Sequence, residues 1–422
     1  MVVSSRDFFR PVLGEPGIVT ALTVTKIERG TSDYWRASAA LFLAAFSVFA
    51  AVYSVQPLLP VFAVEFGLDA ATSSVSLSAT TATLALSLVL VGWLGNRFNR
   101  KSLMLATMLA SAALVLAVPM SGNWTTLVGV RALLGIAVCG VPAIAMVYLA
   151  EEMSNAALGL GMGLFVGGSA LGGMSGRLMV GYLAEVIGWR SALTALGVLI
   201  LFNALAFLLL LPTPRTPRAR TLNLRELGGN FATVFSDKAL PLLFLCSFLM
   251  MGGFVAIYNY VGFRLLEAPY NLDQGQIALV FVVYLVGTLG SAWMGSLAGR
   301  LGRRRVFWPL IVVMLAGLAM TLMSALWAIV LGMAIVTFAF FGAHSIASAW
   351  VARRAQDARA QGSAIYLLAY YAGSSVIGTL GGYGWGHWGW PGVVGFSAVA
   401  FGIALALACR LYVLPPLLVT VD

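Results

Sequence analysis

Twelve apolar stretches, separated by short clusters of charge, proline and glycine, set the pattern of this chain. They fall at about 37–64, 71–92, 103–120, 124–150, 157–184 and 191–211, then at 240–266, 277–298, 306–324, 326–351, 362–385 and 391–411. A helix crosses the hydrocarbon core of a bilayer with ~20 mostly apolar residues. The pattern therefore predicts an all-α membrane protein of twelve transmembrane helices. One longer polar segment, 212–239, carries three prolines together with Arg215, Arg218, Arg220, Arg225 and Lys238. It reads as a linker between two six-helix halves, 37–211 and 240–411, flanked by tails 1–36 and 412–422.

The halves repeat one another. Gly92-Trp-Leu-Gly-Asn-Arg-Phe-Asn-Arg-Lys101 follows the second stretch, and Gly295-Ser-Leu-Ala-Gly-Arg-Leu-Gly-Arg-Arg304 follows the eighth. Gly168-Ser169, Gly173 and Gly176 of the fifth stretch correspond to Gly373-Ser374, Gly378 and Gly381 of the eleventh. Two pseudo-symmetric six-helix repeats around a central site are a transporter architecture.

Composition narrows the class further. Apolar residues make up 60% of the chain and charged ones 9%, against about a quarter charged in soluble domains. The formal charge of +10 is a matter of topology. With both termini in the cytoplasm, 21 of the 25 lysines and arginines fall on cytoplasmic segments and only Arg190 on the opposite face, as the positive-inside rule requires. That distribution leaves no basic surface for nucleic acid. The first 35 residues have no apolar core ahead of a small-residue cleavage site, so the reading is a cytoplasmic tail. Cys139, Cys246 and Cys409 lack metal-ligand spacing and are expected to be free buried thiols. No cofactor is expected. There is no phosphate-binding loop for ATP, and no nucleophile–base set for an enzyme.

Charged side chains inside spans are functional candidates by default. Arg131 and Arg177 lie at one level, with no Asp or Glu in mid-span. The bland alternative has one arginine bonding backbone carbonyls and the other reaching a rim carboxylate such as Glu65 or Glu185. Arg264, near a span end, is expected to snorkel. His344 shares a helix face with Thr337 and Ser348 and is a candidate proton carrier. Tyr53 and Gln56, Tyr258 and Asn259, and Tyr366 and Tyr370 combine hydrogen-bonding groups with aromatic faces, as pockets for organic solutes do. The four-residue glycine repeats at 159, 163, 167 and at 168, 172, 176 are expected to be packing ridges. Ser76, Thr80, Thr83 and Ser87 are expected to form a packing seam.

The loop Gly92–Lys101 resembles the signature loop of the major facilitator superfamily, with Asn96 where the family has Asp and Gly299 in the second copy. The resemblance implies a gate built from Gly92, Asn96, Arg97, Arg100 and Lys101 with Gly295, Arg300, Gly302 and Arg303, in which Asn96 caps a helix. Arg131-Ala-Leu-Leu-Gly135 is similar to the family's Arg-x-x-x-Gly motif, which implies a part for Arg131 in proton coupling. Gly168-Ser-Ala-Leu-Gly-Gly173 is similar to its exporter motif, with Ser169 in place of proline. Stretches Tyr53–Pro60, Gly172–Leu178, Ala343–Trp350 and Tyr370–Gly382 resemble an enterobacterial inner-membrane subgroup. The resemblance implies alternating access, a cavity lined by the first and seventh spans, and proton-coupled efflux of a small-molecule substrate by a monomer in the bacterial inner membrane. Facilitated diffusion or uptake of a small organic anion is the alternative. A receptor or scaffold, which would bring a sizeable soluble domain, is the distant one.

Overall fold

The computed structural model describes residues 26–94, 99–215, 229 and 232–414. Its helices are α1 Ser32–Tyr53, α2 Leu59–Phe66, α3 Ala70–Leu94, α4 Arg100–Ala117, α5 Trp124–Val138, α6 Gly140–Glu152, α7 Asn155–Leu210, α8 Leu240–Leu266, α9 Gln274–Leu279, α10 Tyr284–Leu301, α11 Arg303–Met320, α12 Leu326–Arg354 and α13 Arg359–Val413. Among the described residues, eight helical stretches are long and apolar enough to cross a membrane. Two of them, α7 and α13, are 56 and 55 residues long, enough for two crossings each. Each bends at a glycine with positive φ, Gly188 at 79° and Gly389 at 59°, a conformation that only glycine adopts freely. With α3 and α11 the set is consistent with the twelve expected spans. Most of the expected linker, like Asn96 and Arg97 of the expected gate, lies outside the described residues.

The first span is broken where its sequence requires it. Pro57 has no N–H to continue a helix, and a 3₁₀ turn, Gln56–Leu58, separates α1 from α2. The fourth span breaks similarly at Cys139 and Gly140, ahead of Pro142. Cys139 and Cys246 are buried as expected, but Cys409 is exposed.

Internal repetition is visible in the packing. A Cβ on Gly168 would lie 2.6 Å from the Phe42 carbonyl oxygen, and one on Gly176 2.7 Å from Ala50 Cα, while Gly172 presses on the backbone of Phe46. In the second half Gly373 of α13 presses on the backbone of Phe248 of α8 in the same manner, while Gly378 and Gly381 meet the side chains of Val255 and Ala256. The absence of side chains lets these helices approach closely, where dispersion rather than water-driven burial holds membrane helices together. Gly159, Gly163 and Gly167 have nothing within 4 Å, so that repeat is not a packing ridge. Thr80 and Thr83 form the expected seam, donating to the carbonyls of Arg131 at 2.8 Å and Ala132 at 2.7 Å.

Three expectations concern the helix ends. The first helix starts at Ser32, capped by Thr31. Just before it, Ile27 pairs with Met153, its N–H donating to Glu152 O at 2.7 Å, so this part of the expected tail is docked on the body. In the signature loop, Asn99 caps α4, accepting from the backbone of Lys101 and Ser102 at 3.0 and 3.3 Å. Arg264 reaches the span end and is held there by protein, donating to the carbonyls of Thr321 and Met323 in the turn after α11.

Residues 32–210 and 240–413 touch chiefly toward one end of the bundle, the end that carries the turns at Gly188 and Gly389. Ser78 and Thr379 share a hydrogen bond of 2.6 Å, Thr81 and Ser375 one of 2.7 Å, and Tyr260 donates to Ser74 at 3.1 Å. Gln274 donates to the Pro57 carbonyl. Close to the opposite end, the ion pair of Arg100 with Glu151 stays within the first half, and that of Arg354 ties the second half to Asp237 at the end of the linker segment.

Candidate functional site

The break in the first span decides what its carbonyls can do. A helix leaves its last carbonyls without intrahelical partners, and two of those at the end of α1 are taken by Arg131. Its Nη1 donates to Ala51 O at 2.9 Å, its Nη2 to Val52 O at 2.6 Å, and its Nε to Ser76 O at 3.0 Å. A cation at a helix C-terminus is also favoured by the helix dipole. Arg131 is 1% exposed. The fork of Arg131, expected at the substrate and in proton coupling, is committed to backbone carbonyls in this structure.

Arg177 is placed differently. Its Nε donates to Gln56 Oε1 at 2.6 Å and its Nη1 to the Gly173 carbonyl at 2.6 Å. The guanidinium carbon sits 4.1 Å from the ring centre of Tyr53 and 4.4 Å from that of Tyr284. Such cation–π contacts favour a desolvated arginine by ~2 kcal/mol. Glutamates at the rim take no part: Glu65 accepts from Trp189 and Arg190, and Glu185 from the backbone of Gln274. Among the described residues, neither Arg131 nor Arg177 is paired with a carboxylate.

Gln56 carries the connection onward. Its Nε2 donates to Asn259 Oδ1 at 2.7 Å, and Asn259 Nδ2 to the Gly378 carbonyl at 3.4 Å. Gln56 lies in the turn after α1 in the first half and Asn259 on α8 of the second, so this bond joins the two halves. Arg177, Gln56, Asn259 and Gly378 form one polar chain across the boundary between them. All four sit in an apolar interior where an unpaired polar group is costly.

An aromatic cluster adjoins this chain. Tyr258, expected to face substrate, donates to or accepts from Thr337 at 2.6 Å and packs against Phe254 and Phe281. It is 1% exposed. Tyr370 is half-buried beside His344, ring centres 4.7 Å apart. His344 Nδ1 shares a 2.9 Å hydrogen bond with the Tyr366 hydroxyl. The partner of His344 is therefore a tyrosine on α13. Thr337 and Ser348, on its own face, bond elsewhere. Tyr284, Phe341, His344 and Tyr370 are each partly exposed.

The structure thus brings together Tyr53, Gln56 and Asn259 with Arg177 and Tyr284, and separately gathers His344 with Tyr366 and Tyr370. Tyr284 escaped the sequence reading because an aromatic residue in a span looks like packing. The described part of the expected gate is dispersed. Arg100 pairs with Glu151, Lys101 donates to the Leu211 carbonyl, and Gly302 turns the chain between α10 and α11 at φ 91°. Gly295 approaches Ser345, Arg300 is exposed, and Arg303 begins α11.

Comparison with known proteins places this geometry. A family model described as Major Facilitator Superfamily matches residues 41–267 and 243–420. The inner membrane transport protein YnfM of Escherichia coli is 43% identical over 386 residues, 92% of this chain and 93% of that protein. The MFS-type transporter YybF of Bacillus subtilis is 40% identical over 385 residues, 91% of this chain and 95% of that one. Among solved structures, a bacterial homolog of the human lysosomal transporter Spinster, inward-facing and unoccupied, superposes with a TM-score of 0.70 at 15% identity, covering 90% of this chain and 96% of its own. The nucleoside transporter NupG gives 0.69 at 16% identity, covering 89% and 98%. At that identity the two structures establish the fold.

Proposed function

Because the chain belongs to the Major Facilitator Superfamily, we propose that it is a secondary transporter moving a small organic solute across the bacterial inner membrane by alternating access, as proton-coupled efflux. The observation that carries this reading is the polar chain joining the two halves, bordered by the partly exposed Tyr284, His344 and Tyr370. A mostly apolar site with a few placed polar groups is the usual form of an organic-solute pocket. Transporters of this architecture place the site where the repeats meet.

Orientation in this reading follows from charge. With both termini in the cytoplasm, the end closed by the Ser78–Thr379 and Thr81–Ser375 bonds is periplasmic. A fluorescent reporter inserted in segment 212–239 should then report cytoplasm. His344 is the proton carrier in this scheme, since α12 has no Asp or Glu. Its titration would make or break the bond to Tyr366.

The test is transport in proteoliposomes with a panel of labelled organic solutes, with and without a proton gradient. Gradient-driven movement that His344→Gln abolishes, with solute counterflow retained, is the expected result. Movement indifferent to the gradient removes the coupling, and a panel in which nothing moves removes the reading itself. Facilitated diffusion of an organic anion is the second reading, favoured by the lack of a carboxylate partner at Arg177.

A further inference from the structure

Charges persist inside a membrane only where something compensates them, and the two buried arginines are compensated unequally. Arg131 meets three carbonyls, two of them at a helix end that itself carries negative dipole character. Arg177, 2% exposed, has one neutral amide oxygen, one carbonyl of its own helix and two ring faces.

The arrangement around the guanidinium is specific. Nε and Nη2 point parallel N–H bonds along one edge of the plane, the edge that a carboxylate matches with two oxygens. At Arg177 that edge is half used. Gln56 offers a single neutral oxygen to Nε, and Nη2 has no acceptor among the described residues. Tyr53 and Tyr284 lie close on the guanidinium and flank the approach to it.

We propose that Arg177 anchors the carboxylate of a small aromatic or apolar organic acid, which docks by displacing Gln56 from the Nε–Nη2 edge. This rests on the transport reading above and names its substrate class. The exchange replaces one neutral acceptor by two charged ones, and it neutralises a cation that nothing else in the described structure neutralises. A cationic solute meets a like charge at the same place. Displacement also acts at a distance, because the amide that leaves Arg177 is the one bonded to Asn259 of the other half. Acid binding therefore loosens a bond between the halves.

The experiment measures equilibrium binding of radiolabelled benzoate to the purified full-length protein in detergent. Benzamide, benzyltrimethylammonium and chloride are the competitors. Benzoate should bind, and neither the amide nor the ammonium should displace it at equal concentration. Arg177→Gln should weaken binding at least tenfold. Since that variant also loses its contact to Gln56, thermal melting checks that it is folded, and Gln56→Ala supplies an independent arm. Removing the competing oxygen should tighten benzoate about tenfold, the scale of one hydrogen bond to a charged group. A merely structural Gln56 would give the opposite sign.

Equal competition by benzamide, unchanged or weaker binding in Gln56→Ala, or no benzoate binding up to millimolar concentration each overturns the proposal. Displacement by equimolar chloride also overturns it, in favour of an inorganic-anion site. Failure here while proteoliposomes move a neutral or cationic solute leaves the transport reading standing. Benzoate binding with no solute moved does the reverse.

Discussion

Gln56 of the first half and Asn259 of the second hydrogen-bond to each other at 2.7 Å. The contact spans the boundary between the halves, so any rocking of one against the other must keep, bend or break it. The same two side chains reach Arg177 on one side and Gly378 on the other. A small polar chain is thereby placed where the two halves meet.

The seam between the halves gives the first prediction. Ser78 and Thr379 oxygens are 2.6 Å apart, within reach of a disulfide once both are cysteine. In a background without Cys139, Cys246 and Cys409, Ser78→Cys with Thr379→Cys should cross-link on mild oxidation. Cutting the chain within segment 212–239 should then leave the two halves joined on a non-reducing gel. Transport should stop on oxidation and return with dithiothreitol. A cross-linked protein that still transports would show that the seam need not open.

Arg131 gives the second. Lysine keeps the charge but cannot serve three carbonyls from one planar fork. With two charge-assisted bonds lost at about 1.5 kcal/mol or more each, Arg131→Lys should destabilise the fold by about 3 kcal/mol. The check is melting in detergent. Solute affinity of the surviving folded fraction should be little changed, and a specific loss of affinity without loss of stability would restore Arg131 to the binding site.

The glycine ridges give the third. Alanine at Gly168 would put a methyl 2.6 Å from the Phe42 carbonyl oxygen, whereas Gly163 has nothing within 4 Å. Gly168→Ala should cost about 1–3 kcal/mol by forcing α7 away from α1. Gly163→Ala should be neutral or stabilising by ~0.5–1 kcal/mol, because alanine suits a helix interior better. Melting of the two variants side by side decides it.

Much of this was legible in the sequence, for identifiable reasons. Apolar length and basic asymmetry are one-dimensional signals, so Leu240–Leu266 emerges with the bounds the pattern gave. Repeats are one-dimensional too, so the matching glycines of α7 and α13 that press on α1 and α8 are legible in the sequence. Partners across helices are not. Of the two arginines at one level, one lies beside the carbonyls left by the break before Pro57 and the other beside Tyr284. No spacing within α5 or α7 says which. His344 illustrates the same limit, since its own helix face offers Thr337 and Ser348, and the bond goes to Tyr366 on α13. Asn99 caps α4, which the signature loop's own pattern does not single out.

The turns at Gly188 and Gly389 have a consequence outside the bilayer. Each joins two long helical arms through a single residue at positive φ, and Gly384 lies within touching distance of Gly392 across the second turn. On that end of the bundle the longest described connection is 267–273, and the others span a handful of residues. A protease or a labelling reagent approaching from that side has little to grip. An epitope tag at that end would have to use 267–273, because an insertion at either glycine would pry apart the helices it joins.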